Sequence, residues 1–369
     1  MFLKNRYHRL GKAYRSIRYR NIRWRDRWGY RRRKKQAVLE QWPGEATDSD
    51  RGKLCLFASY DPHGLVAPYV FRLLDMVYDQ GYQVVFVTGA PSVTSEDLNE
   101  LQKRCVRVVR KKNVGWDFGS WKIASEQIDH LSTYSEVLLL NDSIYGPLTD
   151  PRMVFQQIAQ DQESDVIGLT DSWEVGWHLQ SYFLVLRPRF LRSDFFQKAW
   201  ASPDLFSGRK EVIIQEFEIG LSQKALRAGF RLRALFPYRT LIPGFRQVLQ
   251  AEVERLHQQS NHVPPPMWRK WFTANVWLNK SWWRQAIYYH RTLDHLQMFA
   301  PLNPLHYMGL YLIESQQFPF IKAEYVRENP MMVCYPRTIA EVLQAKAGFY
   351  NPEYLYGHLR RTTQHQVPF

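Results

Sequence analysis

Short apolar runs alternate with amphipathic stretches through the first half of the chain. Leu54-Cys55-Leu56-Phe57-Ala58 has the pattern of a buried strand, followed by a loop at 60–64. Residues 69–80 place Val70, Leu73, Leu74 and Val77 at helical spacing and are closed by Gly81. The pattern predicts a second strand at 84–88, a helix from Ser95, a third strand at 106–109, a helix over 116–130 and a fourth strand at 137–140. Two further strands are expected at 166–169 and 181–186, and a helix over 211–227 that Gly229 closes. Strands alternating with helices predict an α/β fold on a mainly parallel sheet covered on both faces. Ligands of such sheets lie beyond the carboxyl ends of the strands, which selects the loops at 59–64, 88–95, 110–122 and 141–148.

The two ends of the chain have a different texture. Leu3, Tyr7, Leu10, Tyr14, Ile17, Asn21, Trp24 and Trp28 recur in steps of four and three, so a helix would carry them as one stripe among Arg and Lys faces. From Val263-Pro264-Pro265-Pro266 onward, Trp268, Trp271, Trp277, Trp282 and Trp283 crowd a segment with several basic residues. The expected organisation is a basic amphipathic arm at 1–40, a polar linker at 41–53, an α/β body at 54–262 and an aromatic and basic, mostly helical region at 263–369.

Charge changes the picture once its position is known. The 369 residues carry a formal net charge of +15. Residues 1–35 hold fifteen Lys and Arg against one acid, Asp26, so fourteen of the fifteen net charges sit in the arm. A near-neutral body with a cationic, Trp-bearing arm fits an interfacial anchor on anionic lipid. A disordered basic tail, a coiled-coil segment and an Arg-rich RNA contact are the competing readings of the arm. The neutral body argues against nucleic acid as the main partner. Cys55, Cys105 and Cys334 have neither metal-ligand nor redox spacing and read as core thiols of a reduced compartment. No apolar run reaches the roughly 18–20 residues that span a bilayer, and no secretory h-region follows Met1. A cytoplasmic protein, peripheral on the inner face of the membrane, is therefore expected.

Four constellations carry candidate chemistry. Leu138-Leu139-Leu140-Asn141-Asp142-Ser143 delivers one carboxylate between two short polar side chains to the open edge of the sheet. Asp142 there suits a divalent cation, Mg²⁺ or Mn²⁺, that meets a diphosphate; the ordinary alternative is an Asx turn. Lys111-Lys112-Asn113-Val114-Gly115-Trp116-Asp117-Phe118-Gly119-Ser120-Trp121-Lys122 has two glycines for tight turns, Asn113 and Asp117 to read a base or ribose, and Lys112 to face phosphate. In Gln215-Glu216-Phe217-Glu218 the two carboxylates diverge on a helix, so one of them faces a site as general base; otherwise both are solvated acids of a helix start. Trp177-His178-Leu179-Gln180-Ser181-Tyr182 supplies His178 and Gln180 for hydroxyl groups, with Asp171 as a further contact and Trp121 as a stacking ring. A lone His at such a place is otherwise structural.

Taken together, these stretches resemble the rhamnan synthesis F family of bacterial glycosyltransferases. The text that carries the resemblance is Lys112 to Lys122, Leu140-Asn141-Asp142-Ser143-Ile144-Tyr145-Gly146-Pro147-Leu148, His178 to Phe183 and Glu218-Ile219-Gly220-Leu221-Ser222. Leu302-Asn303-Pro304-Leu305-His306, Phe318-Pro319-Phe320-Ile321-Lys322 and Glu328-Asn329-Pro330 extend it. The resemblance runs from about residue 54 to 335. It implies a GT-A-like catalytic domain and transfer of a deoxysugar, typically from dTDP-rhamnose, to a glycan or lipid-linked glycan during cell-surface polysaccharide or lipopolysaccharide assembly. It also places Glu218 at the catalytic base of inverting enzymes and Asn141-Asp142-Ser143 at the DXD position, where Asn and Ser replace the outer acids. That replacement keeps open a catalytically silent assembly subunit, beside an enzyme and beside a nucleic-acid-binding protein that works through the arm.

Overall fold

The computed structural model describes residues 19–46, 52–260, 281–298, 302–329, 333 and 338–362. The chain divides into two compact units, each assembled from separate stretches: unit 1 from within 1–66, 81–141 and 185–231, and unit 2 from within 67–80, 142–184 and 232–369.

Unit 1 contains β1 (Val38–Pro43), β2 (Lys53–Ser59), β3 (Tyr82–Thr88), β4 (Arg107–Lys111) and β5 (Glu136–Asn141), side by side in the order β1-β4-β3-β2-β5. The last four are mutually parallel, and β1 runs antiparallel along the edge of β4. The near-continuous apolar runs of β2, β3 and β5 are buried on both faces, as parallel strands require. Ser59 pairs with Thr88, Ala58 with Asn141 and Thr88 with Arg110, so the carboxyl ends align at one edge of the sheet. The helix Trp116–Ser125 packs on β2 and β3, and Ser95–Arg104 packs on β4. The latter starts where Thr94 Oγ1 accepts from Asp97 N, with Glu96 and Asp97 in its first turn and Lys103 and Arg104 in its last.

The described part of the arm is helical over 19–28 and continues, after Gly29, as the helix Tyr30–Lys35. Leu3, Tyr7, Leu10, Tyr14 and Ile17 lie outside the described residues. Arg23 Nε donates to Asp204 Oδ2 and Arg27 Nε to Asp204 Oδ1, both at 2.7 Å, while Arg33 Nε donates to the Phe206 carbonyl at 2.7 Å. Burial of Asp204 opposes its ionisation, yet the hydrogen bonds from Arg27 and Arg23 hold its carboxyl below the ordinary range. The same helix presents Trp24 and Trp28 to solvent, 61% and 76% exposed, with their rings edge to face at 5.2 Å.

Unit 2 contains β6 (Ile144–Tyr145), β7 (Val166–Ser172), β8 (His178–Leu179), the start of β9 (Phe183–Leu186), β10 (Leu232–Phe236) and β11 (Ile321–Lys322). β10 runs parallel to β7, β8 antiparallel to β7, and β11 antiparallel to β6. The helices Tyr238–Ser260 and Ser281–Gln297 pack against each other, and Glu353–Thr362 packs on Pro68–Asp79.

The main α/β pattern is thus present, and several boundaries move. The linker expected at 41–53 begins inside β1 and ends at the first residue of β2. The helix expected to reach residue 130 stops at Ser125, and the strand expected from Ser181 begins at Phe183. Residues beyond 262 form no separate unit: those described join 142–184 and 232–260. The Pro-rich stretch at 264–266 and all five tryptophans, Trp268, Trp271, Trp277, Trp282 and Trp283, have no described side chains. Cys55 and Cys105 are buried free thiols, and burial pushes both upward in pKa; Cys334 lies outside the described residues. No helix among the described residues is long and apolar enough to cross a membrane.

Candidate functional site

The first cluster forms in unit 1, at the carboxyl ends of β4 and β5. Lys111 ends β4 with 1% exposure, and its Nζ donates to the carbonyls of Val114 at 2.8 Å and Lys112 at 3.2 Å. Burial brings its ammonium down to about 8, against the opposing pull of the Asp117 charge. The turn held in this way carries Lys112 and Asn113, both exposed. Gly115 follows with φ +74 and donates its N–H to the Ser207 carbonyl at 3.0 Å. A Cβ there would stand 2.0 Å from the Leu205 carbonyl oxygen, so only glycine fits.

The helix Trp116–Ser125 starts at once and places Asp117 in its first turn, where the helix dipole favours a carboxylate. Asn141 Nδ2 donates to Asp117 Oδ2 at 2.7 Å. The structure therefore joins the Gly-rich loop to the first residue of the Asn141-Asp142-Ser143 stretch through one charged hydrogen bond. Trp121 is elsewhere. It is fully buried, its Nε1 donates to the Leu140 carbonyl at 3.0 Å, and its ring meets Phe118 edge to face at 4.9 Å. The stacking role expected for it is corrected: its apolar area belongs to the core under β5, and no face is left for a ligand.

The helix read at 211–227 is three pieces: α-helix at Lys210–Ile213, a π-turn at Ile214–Glu218 and α-helix at Ile219–Arg227. In the wide turn the Gln215 carbonyl comes over residue 220, and a Cβ on Gly220 would stand 2.4 Å from that oxygen. Such turns recur at functional positions in helices. The turn separates the two carboxylates. Glu216 accepts from Arg23 Nη1 at 2.7 Å, Tyr19 OH at 3.0 Å and Lys224 Nζ at 2.8 Å. Glu218, half-buried, has no hydrogen bond or ion pair to its carboxylate among the described residues. Between them Phe217 packs on Phe118, with centroids 5.5 Å apart, so Glu218 and Asp117 each adjoin one partner of that ring pair.

The second cluster forms in unit 2. Asp142 and Ser143 are half-buried, and the Asp142 carbonyl accepts from Tyr69 OH at 3.0 Å. Lys322 Nζ donates to Ser143 Oγ at 2.7 Å and stands 5.5 Å from the Tyr182 ring centroid. β6 and β11 set this up: Lys322 is in register with Ile144, Ala323 N donates to the Ser143 carbonyl at 2.9 Å, and Leu148 N donates to the Pro319 carbonyl at 2.7 Å. Sequence reading found the Phe318–Lys322 motif but left Lys322 out of the site, because its partner Ser143 is 179 residues away.

The remaining candidates in unit 2 have defined partners. Gln180 accepts from Thr170 Oγ1 at 2.7 Å and donates to Asn303 Oδ1 at 3.1 Å. Asp171 accepts from Trp177 Nε1 at 2.7 Å and from Tyr238 N at 2.5 Å. Both are buried, so they fasten the framework around Tyr182 and Trp177. His178 is buried with Nδ1 2.8 Å from the Gly176 carbonyl.

Asp142 is the one carboxylate in the 141–143 loop, and among the described residues no group of three or more His, Cys, Asp and Glu gathers to hold a metal ion. This donor set fits Mg²⁺ or Mn²⁺ bound through one carboxylate, with the rest of the shell from ligand phosphates and water. It does not fit an ion caged by protein alone.

Comparison with known proteins agrees with the motifs. Residues 84–245 match the family model of rhamnan synthesis protein F. The chain is 24% identical over 317 residues to virulence protein VirA of Vibrio anguillarum, covering 83% of this chain and 89% of that one. It is 24% identical over 200 residues to the uncharacterised protein y4gN of Sinorhizobium fredii, covering 53% and 51%. Among solved structures it is similar to the glycosyltransferase GlyE of Streptococcus pneumoniae TIGR4, at TM-score 0.36 and 11% identity over 86% of this chain; it spans 65% of the length of GlyE. It is also similar to the mannosyltransferase PcManGT of Pyrobaculum calidifontis in complex with GDP-Man and Mn²⁺, at TM-score 0.34 and 10% identity, covering 93% and 97%.

Proposed function

From the rhamnan synthesis protein F match over residues 84–245, we propose that the protein is an inverting glycosyltransferase that uses a nucleotide-sugar donor. The donor we favour is dTDP-rhamnose or another deoxysugar nucleotide. The acceptor is a glycan or lipid-linked glycan of cell-surface polysaccharide or lipopolysaccharide. In the reaction an acceptor oxygen attacks the anomeric carbon while the bond from that carbon to the diphosphate oxygen breaks. Glu218 takes the acceptor hydroxyl proton, and the nucleoside diphosphate leaves with the bonding electron pair.

The observation that carries this reading is the separation of the two carboxylates. Glu216 is neutralised by Arg23 and Lys224, whereas Glu218, one residue past the buried Phe217, has no such partner among the described residues. A base must be able to turn toward the acceptor hydroxyl, and a carboxylate engaged by three donors is already oriented elsewhere. Asp117 and Asn113 are assigned to the nucleoside, with Asn141 fixing Asp117, and Lys112 to phosphate. Asp142 is assigned to the diphosphate through Mg²⁺ or Mn²⁺, which when bound would neutralise phosphate charge. His178, with Nδ1 facing Gly176, leaves Nε2 for a sugar hydroxyl. The arm supports placement on an anionic membrane surface, where a lipid-linked acceptor would also be confined.

Glu218→Gln keeps the shape and removes the base. Turnover should fall by about 10²–10⁴-fold with nucleoside diphosphate binding retained, measured by product formation and calorimetry on the same preparation. Turnover close to wild type would reject Glu218 as the base.

A further inference from the structure

We propose that Lys322 is the protein's own cation for the donor diphosphate: it binds a phosphate oxygen beside Ser143 and stabilises the departing nucleoside diphosphate. This rests on the glycosyltransferase reading. Position is the first support. The β6–β11 ladder, Ala323 N on the Ser143 carbonyl and Leu148 N on the Pro319 carbonyl hold the Phe318–Lys322 segment against the 143–148 segment from both sides. The Lys322 ammonium is thereby delivered to the hydroxyl of Ser143, one residue from Asp142.

The aromatic platform is the second support. The ammonium lies over the ring of Tyr182, which is itself buried, so a fixed aromatic face attracts the cation and holds it in place. Tyr182 is held in turn, with its OH 2.9 Å from Thr170 Oγ1, and Thr170 Oγ1 donates to Gln180 Oε1 at 2.7 Å. Gln180, buried and bonded to Thr170, therefore helps to fix the platform under Lys322.

Charge balance is the third. A nucleotide-sugar diphosphate carries two negative charges, and Asp142 adds a third beside it. One divalent cation alone leaves the assembly anionic; a divalent cation together with Lys322 neutralises it. As the bond from the anomeric carbon to the phosphate oxygen breaks, its electron pair moves to the leaving diphosphate. A Lys322 N–H strengthens its hydrogen bond to that charge without giving up its proton.

The test uses the full chain in EDTA buffer. Whichever of dTDP, UDP and GDP most raises the wild-type melting temperature is titrated calorimetrically, beside its parent nucleoside, into wild type, Lys322→Met and Lys322→Arg. The expected result is a loss of roughly tenfold to a hundredfold in nucleoside diphosphate affinity for Lys322→Met, unchanged nucleoside affinity, and recovery of most of the loss in Lys322→Arg. Undiminished diphosphate binding by Lys322→Met overturns the role of Lys322 and leaves the glycosyltransferase reading standing. Equal losses for nucleoside and diphosphate, with no rescue by Arg, also overturn it and make Lys322 a structural residue. A wild type that binds none of the three diphosphates overturns both.

Discussion

At the scale of single residues, the carboxyl edge of unit 1 rests on a lysine that titrates early. The Lys111 ammonium is brought to about 8 from an ordinary 10.5, chiefly by burial. The folded chain therefore releases this proton before the unfolded chain does. Between about pH 8 and 10.5 the unfolded state binds more protons, so this group makes stability rise with pH through that window. Relative to Lys111→Met, which has no such proton, the wild type should gain on the order of 3 kcal/mol across it. Thermal or urea melts of both proteins at several pH values measure the difference, in which the tyrosines common to both cancel. A difference that stays flat with pH would reject the assignment. The residue types at this edge were readable in the sequence, since Asn113, Asp117 and Asn141 are the polar positions that interrupt apolar runs. Whether a polar or aromatic side chain faces a ligand or the core was not readable: Trp121 is one residue from exposable Lys122 in sequence yet wholly interior in space.

At the scale of elements, the legible ones are those with a buried face. β2, β3 and β5 are apolar along their length, and the helix Pro68–Asp79 repeats apolar positions every three or four residues. β1 was not legible because most of it is exposed; an edge strand with Pro43 at its end has no inner face to impose a pattern. The arm helix shows the same limit from the other side. Its stripe of Asn21, Trp24 and Trp28 is readable, but the use of Arg23 and Arg27 depends on Asp204, about 180 residues away along the chain. With those arginines holding the helix to unit 1, Trp24 and Trp28 stay outward beside exposed Arg20, Arg25, Arg31 and Arg32. A Trp24→Ala/Trp28→Ala chain should bind phosphatidylglycerol vesicles at least roughly tenfold more weakly in sedimentation. Its melting temperature should be unchanged, because neither ring is buried. Vesicle binding equal to wild type would remove the two tryptophans from the proposed membrane contact.

At the scale of the whole molecule, charge separates the parts: the arm carries nearly all the net positive charge, and the rest is close to neutral. A divalent cation held by one carboxylate and by ligand phosphates should bind weakly to the free protein and well only with the nucleotide. Thermal-shift curves should therefore show little response to Mn²⁺ alone, a modest one to nucleoside diphosphate in EDTA and the largest to both together. EDTA should lower turnover, and added Mg²⁺ or Mn²⁺ should restore it. Full turnover in EDTA would reject the cation while leaving Lys322 to be judged on its own binding data.

The sequence by itself determined the alternation of strands and helices, the loops at the carboxyl ends of the strands, the motif positions and the confinement of charge to the arm. These are local properties: each depends on periodicity or composition within a window of some ten residues. Only the tertiary structure decided that Glu216 is tied down while Glu218 has no such partner among the described residues, that Asp117 is joined to Asn141, and that Lys322 reaches Ser143. The reason is the same in each case. A side chain's partner is set by which elements the fold brings together, and 24, 179 and 193 residues separate the pairs that matter.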